Sequence, residues 1–233
     1  MKQRALFLTN EHSRSCSVLL EPAEAALKAA GIELHRPKLA SKEDVVPTIL
    51  REAPNVDRII VMGGDGSVNT ALPGVMQTGL PLGVLPAGTA NDLARTLGLP
   101  KTVPEAAAVI AAGVTKPIDL ADVNGHPFIN AASLGLSVSI TETLTKELKS
   151  RWGVLAYAIA SMSAVWKTKG FGARIEIDGK TDVVRTTQIV IGNGRHFGSG
   201  MTVHETATID DGQLDLYSVG IRSWWRLLYA FPT

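Results

Sequence analysis

The stretch R-I-I-V-M-G-G-D-G-S-V-N at residues 58–69 constrains the fold of this chain more than any other. Its apolar, β-branched start is typical of a buried strand, and its end is compatible with a helix. Between them, Gly63, Gly64 and Gly66 surround one carboxylate, Asp65. A strand, a glycine turn and a helix in this order direct backbone N–H groups and a helix N-terminus at a phosphate. A tight turn whose glycines serve only packing is the alternative, and the carboxylate within the loop favours the phosphate site over it.

Composition excludes several classes of protein. The chain has 233 residues, of which 45% are hydrophobic and 19% charged, and its formal net charge is +1. This balance argues against a nucleic-acid partner, because dedicated nucleic-acid binders usually carry a basic stripe. A single cysteine, Cys16, excludes a disulfide framework and suits a reducing cytoplasm. The apolar residues 153–166 are too few for a membrane span, so we predict a cytoplasmic protein without a transmembrane segment.

Short apolar strands alternate with amphipathic helices in the first half of the chain. We predict strands at residues 5–8, 32–35, 59–62 and 80–85, and helices at residues 22–30, 44–51, 67–77 and 103–112. This alternation predicts an α/β domain, with a parallel sheet and helices on both of its faces. Ligands bind such sheets at the carboxyl ends of the strands, where residues 63–69 and 88–92 are placed.

After about residue 117 the pattern changes, and strands follow one another. An Asp-Gly pair at residues 178–179 predicts a hairpin between two of them. Helices are predicted between these strands at residues 141–148 and 153–166, and a further one begins at Ser223. We therefore predict a nucleotide-binding α/β domain over residues 1–120 and a mainly antiparallel, β-sandwich-like domain over residues 121–233, which we expect to be incomplete and truncated at its C-terminal end.

Several motifs together carry a resemblance to a known family. They are G-G-D-G-S-V-N at 63–69, G-T-A-N-D-L-A-R at 88–95, P-F-I-N-A-A-S-L-G at 127–135, I-G-N-G-R at 191–195 and D-D-G-Q-L-D at 210–215. These motifs resemble the diacylglycerol kinase catalytic-domain family, and within it the bacterial soluble lipid kinases. The glycine loop alone is less specific, because NAD kinases and phosphofructokinases carry similar elements.

The resemblance implies a nucleotide-binding α/β domain and a β-sandwich, with the active site in the cleft between them. It also implies ATP and Mg²⁺ as cofactors, and a lipid acceptor at the membrane surface. The nucleotide contacts that carry over from the family are Asn10, Gly64, Asp65, Gly66, Ser67, Val68, Asn69, Thr70 and Thr89. One further family threonine falls near Leu39, which has no hydroxyl, and Ser41 is the alternative.

Three residues in these loops keep alternative roles. Asp65 would bind Mg²⁺ or order the nucleotide. Asn91 would contact the ligand, or else Asn91 and Asp92 would both cap and charge the first turn of the helix that follows Thr89, and we favour this second role.

The turn at residues 208–213 is the expected site of a structural metal ion. By the resemblance, Thr208, Asp211 and Gln213 supply oxygens to Mg²⁺, and water completes its coordination. An ordinary Asp-Gly turn is the alternative. In the glycine-rich residues 192–200, Arg195 and His196 are predicted to lie at the cleft.

No catalytic residue is assigned from the sequence. The resemblance places the general base of the family in an acidic turn beyond Thr233, so we expect this chain to hold the nucleotide site and to be inactive by itself. An NAD-kinase-like enzyme with a soluble acceptor and a non-catalytic nucleotide-binding module are the alternative hypotheses. The sequence does not name the lipid, and it leaves a homodimer open.

Overall fold

The computed structural model describes residues 3–10, 13–135, 170–198, 200–202 and 206–219. The chain divides into two compact units, the first of Met1–Asn130 with Gly192–Leu214 and the second of Ala131–Ile191 with Asp215–Thr233. This division differs from the single boundary predicted at residue 120, because residues 192–214 return to the first unit.

Strands and helices alternate up to Ala112, and the elements described beyond it are strands. The strands are β1 (Gln3–Thr9), β2 (Ile32–His35), β3 (Arg58–Gly63), β4 (Leu82–Pro86), β5 (Ala121–Val123), β6 (His126–Phe128), β7 (Ala131–Gly135), β8 (Phe171–Ile177), β9 (Lys180–Thr186), β10 (Gln188–Gly192), β11 (His196–Phe197), β12 (Met201–Thr202) and β13 (Asp215–Val219). The helices are α1 (Arg14–Ala29), α2 (Val45–Glu52), α3 (Asp65–Thr78), α4 (Asp92–Thr96) and α5 (Val103–Ala112), with 3-10 turns at Lys42–Asp44 and Ala53–Asn55.

The first unit is built on a parallel sheet of order β2-β1-β3-β4. Successive residues of a strand point to opposite faces, and both faces of this sheet are apolar. Phe7 and Ile60 pack on one face with residues of α1 and α5, whereas Leu6 and Ile59 pack on the other with residues of α2 and α3. The predicted parallel sheet with helices on both faces is confirmed.

The strand order creates a switch point between β1 and β3. From β1 the chain crosses through α1 to β2 on one side, and it then returns through α2 to β3 on the other side. The connections therefore diverge at the carboxyl ends of β1 and β3, and this divergence opens a crevice in sheets of this kind. Asn10 follows β1 directly, and Gly64 follows β3.

The first helix is longer than predicted. A helix was predicted from residue 22, but α1 begins at Arg14 and contains Pro22 in its interior. The buried Cys16, Ala23 and Leu27 lie on one face of this helix, so its apolar stripe begins before the proline. Pro22 leaves the carbonyl of Val18 without its helical donor, and Val18 lies on the exposed side of the helix, with 70% of its surface accessible.

The other helices of the first unit are close to the predictions. Helix α3, predicted at residues 67–77, continues through Pro73 and Gly74 and ends before Gly79, which has a left-handed φ of 66°. Helix α5 spans residues 103–112 as predicted. None of the helices in the part of the chain that the structure describes is long and apolar enough to cross a membrane.

The second unit contains the β8–β9 hairpin and a three-stranded sheet of order β13-β10-β7. Strands β8 and β9 pair antiparallel around Asp178 and Gly179, whose φ angles are 50° and 76°. These left-handed values are those of a tight hairpin turn, so the predicted hairpin is confirmed. The helices predicted at residues 141–148, at residues 153–166 and from Ser223 lie outside the described residues.

Candidate functional site

A cavity of about 490 Å³ lies at the switch point between β1 and β3. Its volume falls within the range of about 300–1,000 Å³ that is usual for small-molecule sites. Five of the nine predicted nucleotide contacts line it, namely Asn10, Gly64, Gly66, Ser67 and Thr70. These residues come from the ends of two strands and from the first turns of α3, and the fold brings them together.

The opposite wall comes from the segment between β2 and α2. Leu39 and Ser41 both line the cavity, so each of the two alternatives for the family threonine reaches it. The Ser41 hydroxyl donates to Asp44 Oδ2 at 3.3 Å, which fixes its orientation. Lys42 also lines the cavity and brings a positive charge, although no motif in the sequence singled it out.

The glycine loop forms the start of α3, with Gly64 in extended conformation at the N-cap. The N–H groups of Ser67 and Val68 donate to the Gly64 carbonyl at 2.9 and 3.2 Å. The N–H groups of Asp65 and Gly66 come before the first N–H group that bonds within the helix, that of Ser67, and therefore lack a partner within the helix. A Cβ atom at Gly66 would meet open space, so packing within the protein does not require a glycine there.

The two glycine motifs pack directly against each other. A Cβ atom on Gly64 would lie 3.1 Å from Gly88 Cα, and one on Gly88 would lie 2.8 Å from Asn91 Oδ1. Asn91 accepts from the Gly88 N–H at 2.9 Å and donates to the Gly88 carbonyl at 2.8 Å. The second loop is thereby folded tightly beside the first, as expected for neighbouring strands of one sheet.

Asp65 has surroundings that differ from those predicted. Its Oδ2 accepts the Asp92 N–H at 3.0 Å, while its Oδ1 accepts the Leu93 N–H at 2.9 Å and the Asn130 amide at 2.8 Å. The carboxylate therefore caps α4, and Asp65 is not among the described residues that line the cavity. Protein donors engage both oxygens, and whether Asp65 also contacts a metal ion or a nucleotide stays a prediction.

The capping role predicted for the Asn91 side chain is wrong, because Asp65 accepts the N–H groups at the start of α4. Asn91 occupies the N-cap position of α4 with a left-handed φ of 52°, but its side chain makes no capping hydrogen bond. The cap comes instead from Asp65, 27 residues earlier in the sequence. No local pattern signals a cap that arrives from another loop.

Three further predicted contacts are also absent from the described lining of the cavity. Val68 is buried in the apolar core beside α3, so only its backbone is available to a ligand. Asn69 and Thr89 are exposed outside the cavity. Whether they contact a nucleotide stays a prediction.

The expected metal turn is held on the first unit. The Gly212 N–H donates to Asp119 Oδ2 at 2.6 Å, and Lys116 pairs with Asp210 at 2.7 Å. Within the turn, Asp211 accepts the Gln213 N–H at 2.9 Å and the Thr208 hydroxyl at 3.1 Å. The hydrogen bond from the Gln213 N–H, together with those from Thr208, holds the pKa of the Asp211 carboxyl below its ordinary value, because these bonds stabilise the charged form. Burial has the opposite effect on this pKa.

The oxygen atoms of this turn are of the type that a hard cation such as Mg²⁺ binds. Thr208, Asp211 and Gln213 are all exposed, so their oxygens and water are accessible together. The described residues contain no cluster of three or more His, Cys, Asp or Glu side chains that would hold a metal. A Mg²⁺ ion here would therefore depend on one carboxylate, on backbone oxygens and on water.

The glycine-rich residues 192–200 belong to the first unit, and His196 among them contacts α4. Thr96 Oγ1 accepts the His196 N–H at 3.3 Å and lies 3.2 Å from His196 Nδ1. His196 is thus engaged by α4, and Arg195 is exposed.

A second cavity, of about 520 Å³, also lies on the first unit. Its lining is mainly apolar and includes Leu72, Leu97, Val109 and Ile118. It contains none of the predicted site residues, so the cavity at the switch point is the better candidate for the site.

Comparison with known proteins gives consistent results. Residues 4–123 match the family model described as "Diacylglycerol kinase catalytic domain", and residues 130–233 match one described as "YegS C-terminal NAD kinase beta sandwich-like domain". A diacylglycerol kinase of Mycobacterium tuberculosis is 35% identical over 190 residues, which cover 78% of this chain and 60% of that protein. A Klebsiella pneumoniae protein named "Probable lipid kinase YegS-like" is 34% identical over 203 residues, covering 84% of this chain and 68% of that protein.

Solved structures agree with these sequence matches. The crystal structure of a diacylglycerol kinase from Bacillus anthracis superimposes with a TM-score of 0.70 at 28% identity, over 94% of this chain and 74% of that one. The predicted fold class, a parallel α/β domain followed by a β-sandwich domain, is confirmed. This chain spans about three fifths of the length of the M. tuberculosis relative.

Proposed function

Because the chain belongs to the diacylglycerol kinase catalytic-domain family, we propose that it acts as an ATP-dependent lipid kinase. The reaction transfers the γ-phosphate of ATP to a hydroxyl group of diacylglycerol or a related lipid. The single observation that carries the donor half of this proposal is the cavity at the switch point, where the glycine loop faces Asn10 and Lys42.

The cavity offers complementary surfaces to the parts of a nucleotide. Leu39, Val45 and Ala71 supply an apolar wall suited to a base, and Asn10 supplies an amide for its polar edge. The phosphates are placed at the N-terminus of α3, where the N–H groups of Asp65 and Gly66 and the helix dipole attract negative charge. The Ser67 hydroxyl and the Lys42 ammonium provide further donors.

These groups suit the demands of phosphoryl transfer. That reaction depends on positioning and on neutralising charge around the transferred group more than on covalent help from the protein. Mg²⁺, bound with ATP, supplies charge neutralisation between the phosphates. We assign the described residues to the donor side of the reaction and assign none of them as the base that deprotonates the acceptor.

The turn of Thr208, Asp211 and Gln213 is proposed to hold a structural Mg²⁺ ion. Its oxygen donors, and the lowered pKa of the Asp211 carboxyl, favour a hard cation. The acceptor is a lipid, so we place the reaction at the cytoplasmic surface of a membrane, where the protein would bind peripherally.

Incorporation of phosphate from γ-labelled ATP into organic-extractable and aqueous products tests the proposal. The assay uses vesicles containing diacylglycerol, with NAD as a soluble acceptor in parallel, and compares this chain with a longer form that adds the downstream coding sequence. Label in the organic phase supports the lipid kinase, and label on NAD alone contradicts it. ATP binding without labelling of any acceptor by either form would instead identify a non-catalytic nucleotide-binding module.

A further inference from the structure

Two sequence motifs have no part in the proposed reaction, and each carries a buried asparagine. Asn130 lies in the motif at residues 127–135 and is 8% exposed, and Asn193 lies in the motif at residues 191–195 and is 4% exposed. Buried amides are costly unless their hydrogen bonds are made, so their partners indicate what they do.

The Asn193 amide holds two backbone segments together. Its Nδ2 donates to the Asp119 carbonyl at 2.8 Å and to the Ile129 carbonyl at 2.9 Å. Its backbone N–H donates to the Asn130 carbonyl at 2.8 Å. Asn193 therefore fixes the backbone from which the Asn130 side chain projects.

The Asn130 side chain reaches the glycine loop. Its Nδ2 donates to Asp65 Oδ1 at 2.8 Å, beside the bonds from Asp65 to the start of α4. The reversed amide would set its oxygen against a carboxylate oxygen, so chemistry fixes this orientation. Asn130 Oδ1 is buried and has no hydrogen-bond partner within the described residues, a cost that an ordinary core position would avoid with an apolar side chain.

From these contacts we propose that Asn130 is a positioning residue for the nucleotide site, an inference that rests on the proposed function. Asn130 holds the Asp65 carboxylate so that its oxygens cap α4 through the N–H groups of Asp92 and Leu93. These hydrogen bonds to the Asp65 carboxylate keep the loop of Gly88 packed on Gly64, and thus keep the first turn of α3 in place to receive phosphates. Asn130 acts through Asp65 and does not itself line the cavity.

A purely structural Asn130 would affect stability without affecting the geometry of the glycine loop. The two roles separate when the affinity for ATP and the hydrogen exchange of residues 88–96 are measured well below the unfolding temperature. The variant Asn130→Ala removes the donor, and Asn130→Ser is a second, less disruptive change. Asn124→Gly, at an exposed turn with a left-handed φ of 53°, is the matched control.

We expect both Asn130 variants to bind ATP about tenfold more weakly, in line with the loss of one hydrogen bond to a charged group. The amides of Asp92 and Leu93 should exchange at least fivefold faster than in the wild type, and those of the control should not. Because Asn130 acts through Asp65, adding Asn130→Ala to Asp65→Asn should cause no further loss of ATP affinity.

Unchanged exchange at residues 88–96, or unchanged affinity for ATP in both Asn130 variants, would overturn the inference while the wild type still binds ATP. Additive losses in the double variant would also overturn it, because they would mean that Asn130 acts independently of Asp65. A wild-type protein that binds no ATP would contradict the proposed function itself. In that case faster exchange in Asn130→Ala would show that the hydrogen bond from Asn130 to Asp65 only stabilises the structure, and the positioning role would be overturned.

Discussion

At the scale of single residues, Gly66 separates ligand binding from folding. It is the second residue of α3 and lines the cavity, and a Cβ atom there meets no protein atom within 4 Å. Gly66→Ala should therefore leave the fold intact or stabilise it by up to about 1 kcal/mol, because alanine favours helix. The added methyl group should block the approach of phosphates, so thermal unfolding should show no stabilisation by ATP.

Gly88→Ala is the matched comparison for this prediction. Its Cβ atom would lie 2.8 Å from Asn91 Oδ1 and would press on the backbone of Gly64, so overpacking should cost about 1–3 kcal/mol in urea unfolding. If Gly66→Ala unfolds like Gly88→Ala, the glycine at position 66 serves packing. If Gly66→Ala retains stabilisation by ATP, the added methyl group does not block the phosphates and the prediction is wrong.

The sequence also predicted residues of the glycine loop that line the cavity, but it did not predict that Asp65 caps α4. Gly64, Gly66 and Ser67 line the cavity because a strand, a turn and a helix are a local arrangement that the sequence specifies. Asp65 instead caps a helix 27 residues further along the chain. Such a contact depends on the packing of two loops, which local patterns do not contain.

At the scale of elements, the turn at residues 208–213 should be sensitive to acid. The folded pKa of Asp211 is lowered, so its contribution to stability is present above its unfolded pKa of about 3.9 and is lost as the pH falls through the folded pKa. Asp211→Asn should therefore be less stable than the wild type at pH 7, and the difference should disappear in acid. The exposed Asp182→Asn, on β9, is the control.

Urea unfolding of these proteins between pH 7 and pH 2 measures that difference. If the free energies of unfolding of Asp211→Asn and the wild type still differ at pH 2, packing and not charge stabilises the turn. An equal effect of Asp182→Asn would show that the pH dependence is general to surface carboxylates.

The elements also show how far a sequence pattern extends. Helix α5 follows its prediction because Pro104 and Gly113 mark its two ends. Helix α1 does not, because Pro22 was interpreted as a start although the apolar stripe already includes Cys16. A proline marks a helix boundary only where no tertiary packing offsets the hydrogen bond that it removes.

At the scale of the whole molecule, the return of residues 192–214 to the first unit was not predicted. The bonds that fix this return join Asn193 to Asp119 across 74 residues and Gly212 to Asp119 across 93 residues. The change from alternating strands and helices to successive strands marks a new architecture. It does not reveal which later segment packs on the earlier unit.

Hydrogen exchange with and without ATP and Mg²⁺ tests whether ATP binds at the switch point between β1 and β3. We predict protection of the backbone within residues 8–10, 39–45 and 63–70, the segments that contribute residues to the cavity. The apolar cavity around Leu97 and Val109 should show no change. Protection confined to that second cavity, or no protection at residues 63–70 at saturating ATP, would contradict ATP binding at the switch point.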